Sequence, residues 1–136
     1  MREIKFRGIS KESNVWIYGY IIIGKLDSIY KIRYQIEDYS WYSEEVIPET
    51  VGQFTGLHDK NGVEIYEGDI VSVDAYSFNY VRNEIFEIIW DNDNHCFAFD
   101  NTGRIIQMSN RRFGFTHDKI EVIGNIHENS ELLTEK

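Results

Sequence analysis

The sequence predicts a mainly β, antiparallel fold in a single domain. In most of the chain the apolar residues recur at every second position, which is the side-chain period of a β-strand. Proline occurs once and glycine ten times, and short Gly-, Asn- and Asp-containing segments separate the alternating runs. Its 136 residues contain no internal repeat and no Pro-rich or Gly/Ser-rich linker, so we expect one domain covering residues 1–136.

The strands follow from this alternation in chain order. In the clearest segment, aromatic and branched residues alternate with Lys31, Arg33 and Gln35, which predicts one buried face and one solvated face. Alternating strands are predicted at Ile4–Phe6, Tyr30–Glu37, Val71–Ala75, Phe97–Phe99 and Ile120–Ile126. Two more continuously apolar segments, Val15–Ile23 and Ile85–Trp90, are typical of strands covered on both faces or bent around a small barrel.

Turns are predicted where Asn, Asp and Gly cluster, because these residues tolerate positive φ angles. The segments are Asp59–Gly62, Asp91–Asn94 and Asn101–Gly103, and the Asn-Gly pair of the first is the strongest hairpin signal. We expect Asn129 or Ser130 to cap one short helical turn near the end of the chain.

The segment Tyr39–Glu49 has no sustained period. It contains Trp41 and Tyr42, and we interpret it as a loop with exposed rings that covers the end of a sheet.

Charge and cysteine content indicate a compartment. The chain has 14 basic and 23 acidic residues, a formal net charge of -9, and one cysteine, Cys96, which cannot form an internal disulfide. No basic-then-apolar leader is seen at the start, and the longest purely apolar run is Ile21–Ile23. We therefore expect a soluble protein in a reducing, cytoplasmic setting.

No motif indicates an enzyme, a cofactor or a metal. Each histidine precedes a potential ligand, but adjacent residues on a strand point to opposite faces and cannot readily close on one ion; the pairs are His58-Asp59, His95-Cys96, His117-Asp118 and His127-Glu128. The run starting at Asp91 fails as a calcium loop, because Cys96 stands at the glycine position and Thr102 at the glutamate position. A metal-dependent hydrolase is accordingly the weakest of three functional alternatives.

A nucleic-acid-binding module is the second alternative. The segment from Arg104 to Lys119 combines basic residues with rings suited to stacking, and its members are Arg104, Arg111, Arg112, Phe113, Phe115 and Lys119. The net charge of -9 opposes such binding.

The run from Val51 to Val71, VGQFTGLHDKNGVEIYEGDIV, closely resembles the signature of the YopX family of phage and prophage proteins. The segments Arg2–Arg7 and Trp16–Tyr20 are similar to the opening of that family, and Val122–Asn129 with Glu131–Leu133 to its close. The resemblance implies a small, mainly β fold of SH3-like barrel or roll type with extra strands, a phage or prophage source, a bacterial cytoplasm, and no established activity.

Within the signature, six residues are interpreted as turn-forming and structural, because turn chemistry is usually demanded by backbone geometry. They are Gly56, Asp59, Gly62, Glu67, Gly68 and Asp69.

The leading functional hypothesis is a non-enzymatic phage accessory protein that binds another protein or copies of itself. The chain has more large rings than one small core needs, and such rings favour interfaces. The predicted interaction surface contains Trp16, Tyr18, Trp41 and Tyr42, with Arg104, Arg111 and Arg112 as its basic part.

Overall fold

The computed structural model describes residues 3–25, 29–77, 80–108 and 119–133. Eleven strands and two single-turn 3-10 helices, Pro48–Thr50 and Ser130–Leu133, lie in these ranges. The strands are β1 Phe6–Ile9, β2 Trp16–Ile23, β3 Tyr30–Gln35, β4 Trp41–Val46, β5 Gly52–His58, β6 Glu64–Tyr66, β7 Asp69–Ser77, β8 Tyr80–Asp91, β9 Cys96–Asn101, β10 Arg104–Gln107 and β11 Ile120–Asn125.

The strands form two antiparallel sheets. The first has the order β4-β3-β2-β1-β5-β6 and the second β10-β9-β8-β7-β11. The predicted mainly β, antiparallel class and the short C-terminal helical turn are confirmed. The SH3-like barrel is not confirmed, because neither sheet closes on itself in the described ranges.

The chain divides into two compact units, Met1–Gly56 and Leu57–Lys136. We call them the first and the second unit. The expectation of one domain over residues 1–136 stays a prediction.

The first unit has a small core centred on Ile17, Ile32 and Val46. On β3 the predicted alternation is confirmed, since Ile32 is fully buried while Lys31 and Arg33 are exposed. The prediction that the segment containing β2 is covered on both faces is wrong: Tyr18, Tyr20 and Ile22, on the face away from the core, are exposed.

The prediction of a loop at Tyr39–Glu49 is also wrong, because β4 occupies most of it and pairs with β3 from Gln35↔Trp41 to Tyr30↔Val46. An acidic residue at an inward position hides the strand period. Glu44 Oε2 accepts a hydrogen bond from the Tyr34 hydroxyl at 2.6 Å, and its Oε1 accepts one from Ser10 Oγ at 2.9 Å. These bonds allow a carboxylate to stand where the pattern leads one to expect an apolar residue.

The second unit has a larger core, built from eight buried apolar side chains. The rings of Phe86 and Phe99 lie 5.4 Å apart between centroids. The cluster consists of Ile65, Val71, Val73, Phe86, Ile88, Phe99, Ile106 and Ile120. These residues come from β6 to β11, so the core ties every strand of the second sheet together.

The predicted turns of the second unit are confirmed as hairpin turns. β8 and β9 pair up to Asp91↔Cys96, and β9 and β10 begin pairing at Asn101↔Arg104. The latter turn has positive φ at Thr102 and Gly103, 48° and 92°, as a two-residue type I′ hairpin requires.

Candidate functional site

One face of the first sheet carries its large rings in the open. Along β2, alternate side chains point away from the small core, and Tyr18 and Tyr20 are 43% and 59% exposed. Trp41 on β4 is 46% exposed. On β3, between these two strands, the outward side chains are Lys31, Arg33 and Gln35. These polar side chains separate the tyrosine rings of β2 from the Trp41 ring of β4.

All of these residues except Lys31 border a groove of about 510 Å³, which we call the aromatic groove. It lies entirely within the first unit. Its lining consists of Glu3, Ile4, Lys5, Tyr18, Gly19, Tyr20, Arg33, Tyr34, Gln35 and Trp41.

The centre of the groove is a cluster of two rings and one guanidinium. Tyr20 and Arg33 are directly opposite in the β2–β3 register, and the Arg33 guanidinium carbon lies 4.8 Å from the centroid of the Trp41 ring. The rings of Tyr20 and Trp41 are 6.1 Å apart between centroids and tilted by 42°. Cation–π attraction therefore holds a positive charge among exposed aromatic surfaces.

A glycine brings the strands of the groove close together. A side chain at Gly19 would clash through its Cβ atom with the Arg33 carbonyl oxygen. Glycine at this position thus permits the approach of β2 to β3 that sets Tyr20 beside Arg33.

A second cation stands at the β1 side of the groove. Lys5 Nζ lies 5.3 Å from the centroid of the Phe54 ring and 3.8 Å from a Glu3 carboxylate oxygen. The groove lining contains two basic residues and one acidic residue, whereas the whole chain carries a net charge of -9. The residues that line the groove therefore carry a small net positive charge, although the protein as a whole is acidic.

The structure separates the four aromatic residues predicted for the interaction surface. Tyr18 and Trp41 line the groove. Trp16 is half-buried on the same face, with the Arg7 guanidinium carbon 4.4 Å from the ring centroid. Tyr42 points to the opposite face of the sheet, where its ring stacks on Tyr34 at 6.0 Å. The predicted set is thus divided between the two faces.

Tyr20 and Arg33 were missed as site residues by the sequence prediction. Tyr20 is two positions after Tyr18, so strand periodicity alone would have placed the two rings on one face. Arg33 was assigned only to a solvated strand face, since its contact with Trp41 depends on β4, which the sequence did not reveal.

Of the three arginines predicted as the basic part of the interaction surface, the structure describes Arg104, which is not among the residues that line the groove. Arg104 is an exposed residue of β10 in the second unit, with Nη1 3.7 Å from Glu84 Oε2. It borders another cavity, of about 450 Å³, together with Asp91, Asp93 and Asn94. Arg111 and Arg112 lie outside the described residues.

Asp59 organises the turn between β5 and β6. Its side chain is 3% exposed, and its oxygens accept hydrogen bonds from the backbone N–H groups of Asn61, Val63 and Val122 at 2.8, 2.9 and 2.9 Å. Burial alone would raise the pKa of this carboxyl, but the three N–H donors outweigh it and hold the pKa below its usual range. Gly62 completes the turn with a φ of 82°.

A second turn joins β6 to β7. The buried Asp69 accepts a hydrogen bond from the Tyr66 N–H at 2.7 Å, and Glu67 is half-buried beside it in sequence. Gly68 has a φ of 92°, donates its N–H to the Ile88 carbonyl and accepts a hydrogen bond from the Ile126 N–H. Gly56, on β5, has a φ of 88° with open space where a Cβ would stand.

These carboxylates accept hydrogen bonds at turns. Asp91 likewise accepts hydrogen bonds from Asn94 Nδ2 and the Asp93 N–H, and these bonds lower its pKa. Within the described ranges, no group of three or more His, Cys, Asp or Glu side chains is arranged to hold a metal ion. In the same part of the chain, no helix has the length and apolarity to cross a membrane.

Comparison with known proteins places this architecture in a family. The model of the YopX protein family matches residues 5–134, nearly the whole chain. No curated protein matches it. Among solved structures, the chain is similar to the crystal structure of protein EF1440 from Enterococcus faecalis, with a TM-score of 0.59 and 27% identity over 98% of this chain and 99% of that one. The resemblance seen in the sequence is confirmed, and the chain belongs to the YopX family.

Proposed function

We propose that this protein is a non-enzymatic binding module and that the aromatic groove is its contact surface. Membership of the YopX family supports an accessory role in a phage or prophage, exercised in the cytoplasm of a bacterial host. The family itself brings no established activity, so the proposal depends on the chemistry of the surface.

The observation that carries the proposal is the exposure of three large rings in one place. Tyr18, Tyr20 and Trp41 are each more than two-fifths exposed, although the same sheet has a core a few ångströms away on its other face. Exposed aromatic clusters with polar surroundings are typical of interaction sites, because rings contribute large contact areas at a low entropic cost.

The absence of catalytic motifs from the sequence supports a non-enzymatic role. The acidic side chains with lowered pKa values point the same way. Asp59 accepts hydrogen bonds from two N–H groups of its turn and from that of Val122, and Asp91 accepts them from its own turn, so the oxygens of both side chains have structural partners.

Two classes of partner fit a ring-rich surface. The surplus of rings favours another protein or a second copy of the chain, as the sequence suggests. The two cations of the groove, Lys5 and Arg33, favour the alternative, a nucleic acid.

Side-chain footprinting tests the contact surface without assuming the partner. The intact protein is oxidised in buffer and in an extract of phage-infected bacteria, and the modification of each ring is quantified by mass spectrometry. We expect Trp41 and Tyr20 to be protected severalfold in the extract.

Trp90 of the second unit, 40% exposed, is the matched control and should react equally in both conditions. Equal reactivity of Trp41 in buffer, in extract and at high protein concentration would contradict the proposed function.

A further inference from the structure

We propose that the aromatic groove binds single-stranded nucleic acid. This inference rests on the proposed function, in which the groove is the contact surface, and it names the partner. Single strands expose the faces of their bases and a row of phosphates, so a fitting surface needs rings for stacking and cations between them.

The arrangement of rings matches stacked bases. Tyr18 and Tyr20 stand two residues apart on one face of β2, which corresponds to about 6.7 Å along the strand. That spacing is about twice the 3.4 Å rise of stacked bases. Trp41 supplies a third ring across β3 from the other two.

The arrangement of charge matches a phosphate backbone. Arg33 stands at the Tyr20–Trp41 cluster and Lys5 at the β1 side of the groove. Lys31 lies outside the groove lining, on the outward face of β3 two residues before Arg33 and directly opposite Glu45 of β4. A phosphate chain repelled by an acidic protein finds its complementary charge here.

The same polarity disfavours a protein partner in the groove. Lysine is depleted from protein interfaces, whereas Lys5 lines the groove and Lys31 stands on the outward face of β3. A partner protein would have to cover both lysines in its contact. Phosphates would instead pair with them at the solvent boundary.

Fluorescence anisotropy with the full-length protein tests this. The probe is a fluorescein-labelled single-stranded DNA of 12 mixed nucleotides, titrated at 20 to 200 mM salt, with an RNA of the same sequence and the DNA duplex in parallel. We expect the single strands to bind more tightly than the duplex. If Lys5 and Arg33 each meet one phosphate, the slope of log K against log salt is about -1.4.

Three pairs of variants locate the binding. Trp41→Ala should weaken it about tenfold or more through lost stacking, while Trp90→Ala in the second unit should not change it. Arg33→Gln should reduce the steepness of the salt slope by about 0.7, and Arg104→Gln should leave it as it is. Tyr20→Phe should retain binding that Tyr20→Ala loses, and circular dichroism verifies that each variant is folded.

Three outcomes overturn the inference. The absence of binding at 20 mM salt does so, as does a duplex that binds as tightly as the single strand, or binding that depends on Arg104 rather than on Arg33. The proposed function is tested separately. If Trp41 is protected in the infected-cell extract and nuclease treatment does not remove the protection, the groove is a contact surface for a protein, and only the nucleic-acid inference falls; if Trp41 is not protected at all, the proposed function falls.

Discussion

Both units of this protein are built from antiparallel strands, but they differ in which side chains they bury and which they expose. The second unit has eight fully or nearly buried apolar residues in one core, while the core of the first has three. The first unit instead exposes rings on the outer face of its sheet. The buried rings of Phe86 and Phe99 thus stabilise the core of the second unit, whereas the first unit exposes a cluster of rings on one face.

The net charge also differs between the two units. By sequence, residues 1–56 contain seven basic and eight acidic side chains, and residues 57–136 contain seven basic and fifteen acidic ones. The formal net charges are therefore -1 and -8. The acidity of the chain belongs almost wholly to the second unit, and a single net charge of -9 conceals the near-neutral unit that carries the aromatic groove.

The largest expected effect contrasts two ring truncations, one in each unit. Phe86→Ala removes a fully buried ring that packs on Phe99, and we expect the free energy of unfolding to fall by about 4 kcal/mol. Trp41→Ala removes an exposed ring whose contact with Arg33 contributes about 1 kcal/mol or less. Urea unfolding followed by far-ultraviolet circular dichroism measures both, and equal losses would contradict the division of roles.

What the sequence predicts well is the part governed by local pattern. The alternation in β3 and the turns at Asp91–Asn94 and Asn101–Gly103 are read correctly, because side-chain period and positive φ are local properties. The strand at β4 is not predicted, since Glu44 faces inward to partners on Tyr34 and Ser10 that are distant in sequence. From the sequence alone, a carboxylate whose hydrogen bonds come from other strands cannot be distinguished from one that is exposed to solvent.

The candidate site is predicted in part for a related reason. Tyr18 and Trp41 are identified from their residue type. Which residues lie beside them in the groove depends on the register in which the strands pair. Arg33 meets Tyr20 through the β2–β3 pairing and Trp41 across the β3–β4 pairing. Those cross-strand pairs set the surface chemistry, and no local pattern encodes them.

The second prediction concerns the turn of the second unit that Asp59 organises. Asp59→Asn replaces one acceptor oxygen by an N–H₂ group, which leaves a partly buried hydrogen-bond donor, the backbone N–H of Asn61, Val63 or Val122, without its partner. We expect a loss of about 2 kcal/mol at pH 7. Thermal unfolding of the variant measures it, with the exposed Asp93→Asn as a control that should change little.

The pH dependence of that loss follows from the lowered pKa of Asp59. A carboxyl with a folded pKa below its unfolded value stabilises the fold above the unfolded pKa, about 3.9, and loses that contribution as the pH falls through the folded value. The difference between wild type and Asp59→Asn should therefore be full at pH 7 and shrink below about pH 4. A difference independent of pH would show that the carboxylate charge is irrelevant to the turn.

The third prediction returns to the first unit and its inward carboxylate. Tyr34→Phe removes the hydroxyl that donates to Glu44, and we expect a loss of about 1 kcal/mol. Tyr42→Phe is the matched control, because Tyr42 stacks on Tyr34 while its ring is exposed. Chemical denaturation at pH 7 compares the two, and an equal change in both would argue against the role of Glu44 in fixing β4 to β3.

The smallest expected effect tests whether the acidity of the second unit costs it stability. Burial raises the pKa of Glu87, with Asp100 directly opposite on β9 and Glu67 nearby adding to the effect. A carboxyl whose folded pKa is raised contributes stability below its unfolded pKa, about 4.3, and loses it as the pH rises through the folded value. Glu87→Gln should therefore stabilise the protein at pH 7 by a few tenths of a kcal/mol up to about 1 kcal/mol.

The gain from Glu87→Gln should disappear near pH 4, where the wild-type carboxyl is protonated, which is the opposite sign to Asp59→Asn. Melting temperatures of wild type and variant at pH 4 to 8 measure it. Glu45→Gln, in the first unit, is the control: Glu45 lies 2.6 Å from Lys11 Nζ, so its removal should give no gain at pH 7. A gain of equal size in both units would mean that the excess of acid in the second unit imposes no local cost.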